Sequence, residues 1–276
     1  MVKIRNFLNV LIPPEILSIH RQSKKLKTGE EMWSGDYSSW AEAQIKCTGY
    51  DSEVILEKCK NALLKVKNGE AIYERDSVLF NEIQYSWGLL AGLLRAALRN
   101  DGELCVLDFG GSLGSTYYQN KEFLKPLKEL KWCIIEQSHF VDCGKKLFEG
   151  DQLKFFNTIE ECITHYRPNV LLLSGVLQYL EKPYEWIEKF VGLGLPNIII
   201  DRTSFVENER DILTIQNVPE SIYLASYPAW FLNKERFSKF FATEYCLVSE
   251  FADTIDPPIK LNGLNASWGG LYFIKR

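Results

Sequence analysis

A glycine-rich turn directly after an apolar run constrains the fold of this chain more than any other segment. Residues 104–109 are mostly apolar, contain Asp108, and lead into Gly110-Gly111-Ser112-Leu113-Gly114. This order predicts a buried strand that enters a tight loop. Glycines permit positive φ and allow a ligand to approach the backbone closely. Ligands of open α/β sheets bind beyond the carboxyl ends of the strands, so we expect the binding site at this loop.

Strands and helices alternate in the pattern that begins at this first strand. Apolar strands are predicted at 104–109, 132–136, 153–156, 170–174 and 197–200. Helices are predicted near 140–148, 159–165 and 184–193. Such a repeat with continuous apolar strands is typical of a parallel sheet covered by helices on both faces.

The end of the chain departs from the repeat. Asn233 is a predicted N-cap for a helix that reaches Phe241. Two strand-like segments follow at 246–251 and 271–274, and only a loop that includes residues 256–263 separates them. Because no helical period lies between these two strands, we expect them to pair antiparallel.

The first hundred residues carry little strand signal and are predicted to form a helical cap on a domain that spans 101–276. Asp51 is a predicted cap for a helix from Ser52. Asp76 or Ser77 is predicted to begin a helix that runs to about Leu98 and is buried between layers. Residues 33–40 form an aromatic, glycine-containing stretch that we interpret as a lid or cap element.

Composition narrows the class of protein. The net charge of -4 gives no reason to expect a nucleic-acid partner. Seven scattered cysteines without a CxxC pair predict reduced thiols in a cytoplasmic protein, and the three histidines show no metal-ligand spacing. No integral membrane segment is expected, and the apolar run at 7–12 is too short for a signal peptide. The oligomeric state is not determined by these patterns.

The glycine loop does not have the spacing of a nicotinamide-binding G-x-G-x-x-G motif. It is similar to the D-x-G-x-G-x-G loop of class I methyltransferases that use S-adenosylmethionine. Asp108, Gly110 and Gly114 fit three positions of that motif, whereas Ser112 replaces the middle glycine and Gly111 is offset by one. The resemblance implies a Rossmann-like, seven-stranded α/β sheet, parallel apart from an antiparallel last strand.

Residues after the next three strands fit the same cofactor. Glu136 ends the second strand, where a carboxylate accepts hydrogen bonds from ribose hydroxyls; the alternative is a surface acid. Asn157, after the third strand, stands where the adenine amine is met in these enzymes. Ser174 and Gly175 resemble the segment that lines the methionine end of the cofactor.

Four further segments extend the resemblance over the chain. They are Gly35-Asp36-Tyr37-Ser38-Ser39-Trp40-Ala41-Glu42-Ala43, Gly49-Tyr50-Asp51, Tyr73-Glu74-Arg75-Asp76-Ser77 and Tyr227-Pro228-Ala229-Trp230. They resemble a largely uncharacterised methyltransferase family whose members tend to be encoded among bacterial surface-polysaccharide genes. Membership implies S-adenosylmethionine as cofactor and suggests a sugar or glycan-precursor substrate.

Several polar and aromatic residues are candidates for the acceptor end of the site. Asp201 is our hypothesis for a general base, with an Asp201–Arg202 ion pair as the structural alternative. Arg202, together with Tyr227 and Trp230 in a predicted loop, is a candidate for substrate binding. Arg75 is a candidate partner for the cofactor carboxylate, or else part of a surface ion pair beside a capping Asp76.

Tyr37 and Trp40 are the remaining substrate-binding candidates, which either close a cleft or hold the N-terminal region on the sheet. The sequence therefore predicts a methyltransferase acting on a small molecule or glycan. Two alternatives are a non-catalytic binding protein on a degenerate methyltransferase fold and a nicotinamide-dependent sugar-modifying enzyme.

Overall fold

The computed structural model describes residues 32–48, 52–219, 222 and 225–276. The apolar run at 7–12, the signature segment Gly49-Tyr50-Asp51 and the capping role of Asp51 lie outside these described residues. No helix within the described ranges is both long and apolar enough to cross a bilayer.

The described chain contains short strands in its first part and an alternating pattern afterwards. The strands are β1 (Trp33–Ser34), β2 (Tyr73–Arg75), β3 (Val78–Phe80), β4 (Glu103–Phe109), β5 (Glu129–Ile135), β6 (Leu153–Phe156), β7 (Val170–Ser174), β8 (Asn197–Val206), β9 (Ile212–Asn217), β10 (Ser226–Asn233), β11 (Tyr245–Ala252), β12 (Ile259–Leu261) and β13 (Leu264–Lys275). The helices are α1 (Trp40–Ile45), α2 (Ser52–Lys67), α3 (Trp87–Leu98), α4 (Ser115–Leu124), α5 (Ser138–Leu147), α6 (Ile159–His165), α7 (Pro183–Gly192) and α8 (Lys234–Lys239).

The centre of the sheet is parallel, as the repeat predicts. Its strands lie in the order β6-β5-β4-β7-β8, and each neighbouring pair runs parallel. The switch point falls between β4 and β7, so the turn after β4 opens at the crevice where such sheets bind ligands. The predicted elements at 153–156, 159–165 and 170–174 have the observed bounds.

Alternate side chains of the central strands fill two cores on opposite faces of the sheet. Val106 and Trp132 pack with helices α2 to α5, whereas Leu107 and Cys133 pack with α6, α7 and α8. Burial on both faces explains why these strands read as continuous apolar runs. The same packing fixes the positions of the carboxyl ends of these strands, where the site residues lie.

The last strands form the expected antiparallel pair. β13 lies between β8 and β11 and runs antiparallel to both. β12, which lies inside the predicted loop, also pairs antiparallel with β13. The order β6-β5-β4-β7-β8-β13-β11 therefore contains the seven predicted strands.

The same sheet continues beyond these seven strands, so the predicted count is too low. β8 extends six residues past the predicted end at residue 200, and its last residues pair with β10. β10 in turn pairs with β9, and β9 with β1, giving an eleven-stranded sheet. The segment with Tyr227 and Trp230 is consequently a strand rather than a loop. The sequence did not predict this strand because it contains Pro228, and proline is rare inside strands.

A hairpin replaces the start of the predicted helix at Asp76 or Ser77. β2 and β3 pair antiparallel around these two residues, which have φ of 51° and 67°. A two-residue hairpin turn with positive φ at both positions normally carries Asn-Gly, so Asp-Ser gave no signal. The helix α3 begins only at Trp87.

Helix α3 is also less enclosed than we predicted. Leu89, Leu90 and Leu93 are buried, whereas Trp87 and Leu98 are 59% and 81% exposed. The helix therefore packs one face on the sheet and presents the other to solvent. With β1, β2 and β3, the described part of the predicted helical cap is mixed in structure.

Candidate functional site

The turn between β4 and α4 adopts a conformation that its glycines permit. Gly110, Ser112 and Gly114 all have positive φ, at 74°, 53° and 107°. A Cβ on Gly110 would lie 2.5 Å from Val176, and one on Gly111 would lie 2.5 Å from the Asp108 carboxylate. Gly114 is the N-cap residue of α4. The loop therefore exposes backbone rather than side chains at the carboxyl end of β4.

Asp108 is locked beneath this loop. Its side chain is 1% exposed, and Trp132 Nε1 donates a hydrogen bond to its Oδ2 over 2.8 Å. Burial raises the pKa of Asp108 to about 7, against a smaller lowering by the Trp132 hydrogen bond. The carboxyl group thus supports the loop from below and lines the space beside it.

Glu136 lies directly after β5 and faces the loop. Its Oε1 accepts a hydrogen bond from Ser112 N over 3.3 Å, and its Oε2 accepts one from Gln137 N over 2.8 Å. Burial raises the pKa of Glu136, although both backbone donors lower it. This carboxylate is therefore oriented at the place where the sequence predicted a ribose acceptor.

The ends of β6 and β7 complete the same edge. Asn157 follows β6, and its backbone N–H donates to Glu161 Oε2 over 3.0 Å. Ser174 is the last residue of β7 and donates from Oγ to Asp201 Oδ2 over 3.1 Å. Gly175 has φ of 63°, and its N–H donates to Asp201 O over 3.0 Å. These three residues lie along one side of the space above β4.

A cleft of about 1510 Å³ connects this edge to the N-terminal elements. Most of the residues that the sequence singled out line it. They are Asp108, Gly110, Gly111, Ser112, Glu136, Asn157, Ser174, Gly175, Arg75, Asp201, Arg202, Tyr227 and Trp40. Gly114, Tyr37 and Trp230 are not among the lining residues. The volume exceeds that of a typical small-molecule pocket, which leaves room for two ligands side by side.

Asp201 is held by two serine hydroxyls rather than by its neighbour. Ser86 Oγ donates to Asp201 Oδ1 over 2.9 Å, while Ser174 Oγ donates to Oδ2. Its side chain is 4% exposed, and burial raises its pKa despite the nearby Arg202. Arg202 itself pairs with Asp76 at the hairpin turn. The two adjacent side chains therefore have different partners.

Arg75 and Arg202 lie in a network of alternating charges. Arg75 Nη2 lies 3.6 Å from Asp256 Oδ1, and Arg75 Nε lies 3.8 Å from Asp76 Oδ2. Asp76 thus contacts both guanidinium groups, which hold its pKa below its usual value although burial opposes this. Two buried guanidinium nitrogens, Arg75 Nη1 and Arg202 Nε, have no hydrogen-bond partner among the described residues.

The four aromatic candidates divide into two groups. Trp40 and Tyr227 line the cleft, and the Tyr227 ring packs edge-on against Tyr179 at 5.3 Å. Tyr37 and Trp230 do not line the cleft and pack, together with Trp40, in a small core between α1 and β9. The Trp40 and Trp230 rings are stacked at 6.4 Å, which ties α1 to β10.

Several cleft residues were not among the predicted site residues. Glu74 is 2% exposed, accepts hydrogen bonds from Ser115 Oγ and Ser77 N, and has its pKa raised to about 7 by burial. Gln178 is 4% exposed and donates to the Arg202 carbonyl over 3.1 Å. Asp253 and Asp256 come from the segment after β11. The hairpin brings Glu74 to the cleft, the segment after β11 brings Asp253 and Asp256, and the turn after β7 brings Gln178.

The strand order defines the class of fold. A parallel β6-β5-β4-β7-β8 series followed by an antiparallel β13 inserted before β11 is the arrangement of class I methyltransferases, here extended by β10, β9 and β1. The glycine loop lies at the switch point of that sheet. No family model and no curated protein sequence matches the chain.

Three solved structures are similar to the chain at low sequence identity. One is the N-terminal domain of EvdMO1 crystallised in the presence of SAH and D-fucose, with 12% identity, a TM-score of 0.46, and 82% of this chain and 98% of that chain covered. Another is an S-adenosylmethionine-dependent methyltransferase from Clostridium acetobutylicum ATCC 824, with 8% identity, a TM-score of 0.45, and coverages of 78% and 97%.

A third is the N-methyltransferase NodS from Bradyrhizobium japonicum WM9 in complex with S-adenosyl-L-homocysteine. It has 13% identity, a TM-score of 0.38, and coverages of 68% of this chain and 86% of that chain. These similarities are too remote to identify a ligand of this chain. A functional proposal for it therefore depends on its own strand order and site geometry.

Proposed function

We propose that this protein is an S-adenosylmethionine-dependent methyltransferase. The observation that carries the proposal is the pairing of the glycine loop with Glu136 at the switch point of the sheet. The loop offers open backbone next to a fixed carboxylate, and Ser112 N is held by that carboxylate. A nucleoside with vicinal hydroxyls fits this arrangement, because a carboxylate accepts two hydrogen bonds from such a diol.

We assign different groups of residues to different parts of the cofactor. Gly110, Gly111, Ser112 and Gly114 form the loop around it with Asp108 beneath, Glu136 accepts from the ribose, and Asn157 meets the adenine. Ser174, Gly175 and Arg75 lie at the methionine end, where the unpartnered Arg75 Nη1 suits a carboxylate. When bound, the cofactor supplies a sulfonium-linked methyl group that passes to the acceptor, leaving S-adenosylhomocysteine while the acceptor loses a proton.

The protein's own part in such a reaction is to position the acceptor and to take its proton. Asp201 is our candidate base, and Ser86 and Ser174 connect it to the cleft that both serines line. Its raised pKa, caused by burial, makes it a better proton acceptor than an ordinary aspartate. Arg202 and Tyr227 line the acceptor side.

The acceptor class that we propose is a sugar or glycan precursor, as in surface-polysaccharide biosynthesis. The support is the combination of flat aromatic faces and polar groups on one wall. Trp40, Tyr179 and Tyr227 line the cleft together with Gln216, which accepts a hydrogen bond from Tyr179 Oη over 2.8 Å. Aromatic rings beside hydrogen-bonding groups suit the apolar faces and hydroxyl edges of a sugar ring.

Calorimetric titration with S-adenosylmethionine, S-adenosylhomocysteine and NAD tests the proposal directly. We expect both sulfur compounds to bind and NAD to produce no heat of binding. A nicotinamide-dependent sugar-modifying enzyme would instead bind NAD and neither of the two sulfur compounds. A protein that binds the methyl donor but never transfers the methyl group would support a non-catalytic role on the same fold.

The Glu136→Ala variant tests the ribose assignment within this proposal. Removing a charged hydrogen-bond partner costs about 2 kcal/mol, so the affinity for S-adenosylhomocysteine should fall roughly 30-fold. Glu136→Gln retains one acceptor oxygen, so its affinity for S-adenosylhomocysteine should lie between those of the parent protein and Glu136→Ala. Glu160→Gln, which changes an exposed acid on α6, serves as the control. Unchanged affinity in Glu136→Ala would remove Glu136 from the cofactor site.

A further inference from the structure

Acidic side chains outnumber basic ones along the cleft. The described residues that line it include carboxyl groups from every wall but guanidinium groups from only two positions. The acids are Glu74, Asp76, Asp108, Glu136, Asp201, Asp253 and Asp256, and the bases are Arg75 and Arg202. No described lysine or histidine lines the cleft. A site built for a phosphate would present the opposite balance.

The two arginines are already neutralised by cleft carboxylates. Arg202 pairs with Asp76, and Arg75 lies close to both Asp76 and Asp256. If the cofactor carboxylate occupies the free Arg75 nitrogen, even less positive charge faces the acceptor. An anionic acceptor would therefore meet repulsion from Asp201, Asp253 and Asp256, because both arginines of the described cleft lining are already paired with carboxylates.

The acceptor end also offers hydrogen-bond acceptors that lack donors. Gln178 lines the cleft with 4% of its surface exposed, and its Oε1 receives no hydrogen bond from the described residues. Its amide is oriented because Nε2 donates to the Arg202 carbonyl. Asp253 Oδ2 is likewise buried without a partner in this part of the chain, while Oδ1 accepts from Ile255 N and Asp256 N. Unpaired buried acceptors call for a ligand rich in N–H or O–H donors.

We propose that the methyl acceptor is an amino sugar and not a phosphorylated or nucleotide-linked sugar. Its amine is bound protonated, and the methyl group passes to one of its hydroxyl oxygens, whose proton goes to Asp201. The ammonium group of the sugar faces the carboxylates of Asp253 and Asp256. The hydroxyl groups of the sugar donate hydrogen bonds to the other unpaired acceptor, Gln178 Oε1. Aromatic side chains on the adjacent wall suit both the sugar ring and a nearby cation. This inference rests on the proposed methyltransferase function and narrows its acceptor.

The test is calorimetric titration of the protein saturated with S-adenosylhomocysteine. The probes are D-glucosamine, D-glucose and D-glucose 6-phosphate, which share a ring and differ in charge. We expect glucosamine to bind about tenfold more tightly than glucose, and glucose 6-phosphate to bind more weakly than either. Glucose 6-phosphate binding as tightly as glucosamine, or no detectable glucosamine binding, would overturn the proposal.

A charge-neutral variant identifies the carboxylates responsible. Asp253→Asn keeps the oxygen that accepts from Ile255 N and should reduce the preference for glucosamine over glucose to about threefold or less. Glu160→Gln removes an equal charge from an exposed position outside the cleft and should leave the preference intact. A preference unaltered by Asp253→Asn would count against the placement of the amine.

Saturation with S-adenosylhomocysteine distinguishes failure of the amino-sugar proposal from failure of the proposed methyltransferase function. If that ligand fails to bind, the proposed function falls. If it binds and the amine is not favoured, only the acceptor assignment falls.

Discussion

Ser112 shows how one residue can depart from a motif and retain its geometry. It occupies the place where methyltransferase loops usually carry a second glycine, and its φ of 53° lies in the left-handed region that glycine favours. Its N–H is fixed by Glu136 Oε1. The departure therefore preserves the open backbone that a cofactor needs.

Glu74 provides a pH-dependent prediction at the residue scale. Burial raises its pKa from an ordinary 4.5 to about 7, so the folded protein binds its proton more tightly than the unfolded chain. The free energy of unfolding should fall as the pH rises through this interval. Glu74→Gln removes this pH-dependent loss of stability, so its free energy of unfolding at about pH 8 should be about 3 kcal/mol higher than that of the parent protein.

Denaturant titrations at about pH 4 and about pH 8 measure the difference. The two proteins should have similar stability at the lower pH, because Glu74 is protonated in both the folded and unfolded states there. Glu188→Gln, on the exposed side of α7, is the matched control. Equal pH dependence in the Glu74 variant and the parent would show that Glu74 is not the titrating group.

Asp201 gives a second prediction at this scale. Asp201→Asn keeps the shape of the side chain and one oxygen that accepts from a serine, while its NH₂ group donates to the other serine hydroxyl. The variant side chain cannot take a proton from the acceptor. We expect kcat to fall about 100-fold on an acceptor that the parent protein methylates, with the affinity for S-adenosylhomocysteine unchanged. Asp142→Asn, at an exposed position on α5, controls for the loss of charge. Full activity in Asp201→Asn would leave Asp201 a structural residue.

At the scale of elements, the β2–β3 hairpin connects the first part of the chain to the cofactor end of the cleft. Glu74 accepts from Ser115 at the start of α4, Tyr73 Oη accepts from Gln119 over 3.1 Å, and Asp76 pairs with Arg202. Two of these contacts join the short hairpin to α4, and the third joins it to β8. The geometry of its turn therefore decides where three cleft residues lie.

Substitutions at Ser77 test the importance of that turn. Its φ of 67° disfavours side chains branched at Cβ, so Ser77→Val should lower the free energy of unfolding by about 1–2 kcal/mol. Ser77→Gly accepts the same conformation and should not lower it. Denaturant titration of both variants measures the effect. A Ser77→Val protein as stable as the parent would contradict the strained turn.

At the scale of the whole molecule, the cleft lies between the long sheet and the N-terminal elements. β1 joins the sheet edge through β9, and α1 packs against β9 and β10. The hairpin and the segment after β11 line the same space from other directions. A ligand in the cleft would thus touch parts of the chain that are far apart in sequence.

Ligand binding should consequently stabilise these parts together. S-adenosylhomocysteine at a hundred times its dissociation constant should add about 2.7 kcal/mol to the free energy of unfolding. Amide hydrogen exchange in β2 and β3 should slow on binding, because the hairpin lines the ligand space. Helix α8, which does not line the cleft, should change little in its local exchange. Slowing confined to regions away from the hairpin would place the ligand elsewhere.

The sequence alone determined the central sheet and the loop at its switch point. Continuous apolar runs arise from strands buried on both faces, and a 3.6-residue period arises from helices buried on one face, so β4 to β8 and the helices α5, α6 and α7 were recognisable locally. Helix α4, between β4 and β5, was not predicted. The antiparallel ending followed from the missing helical period. Asp108, the glycines, Glu136 and Ser174 were found because each lies at a strand end, where position along the chain already fixes position in space.

Only the tertiary structure decided the rest of the site. The hairpin turn at Asp76-Ser77 lacks glycine, and β10 contains Pro228, so local propensity pointed away from the structures that form. Glu74 reaches the cleft on the β2–β3 hairpin, and Asp253 reaches it through the pairing of β11 with β13. Their burial and partners, which shift pKa values and leave acceptors unpaired, depend on that packing. The chemistry of the acceptor end is therefore a property of the assembled fold.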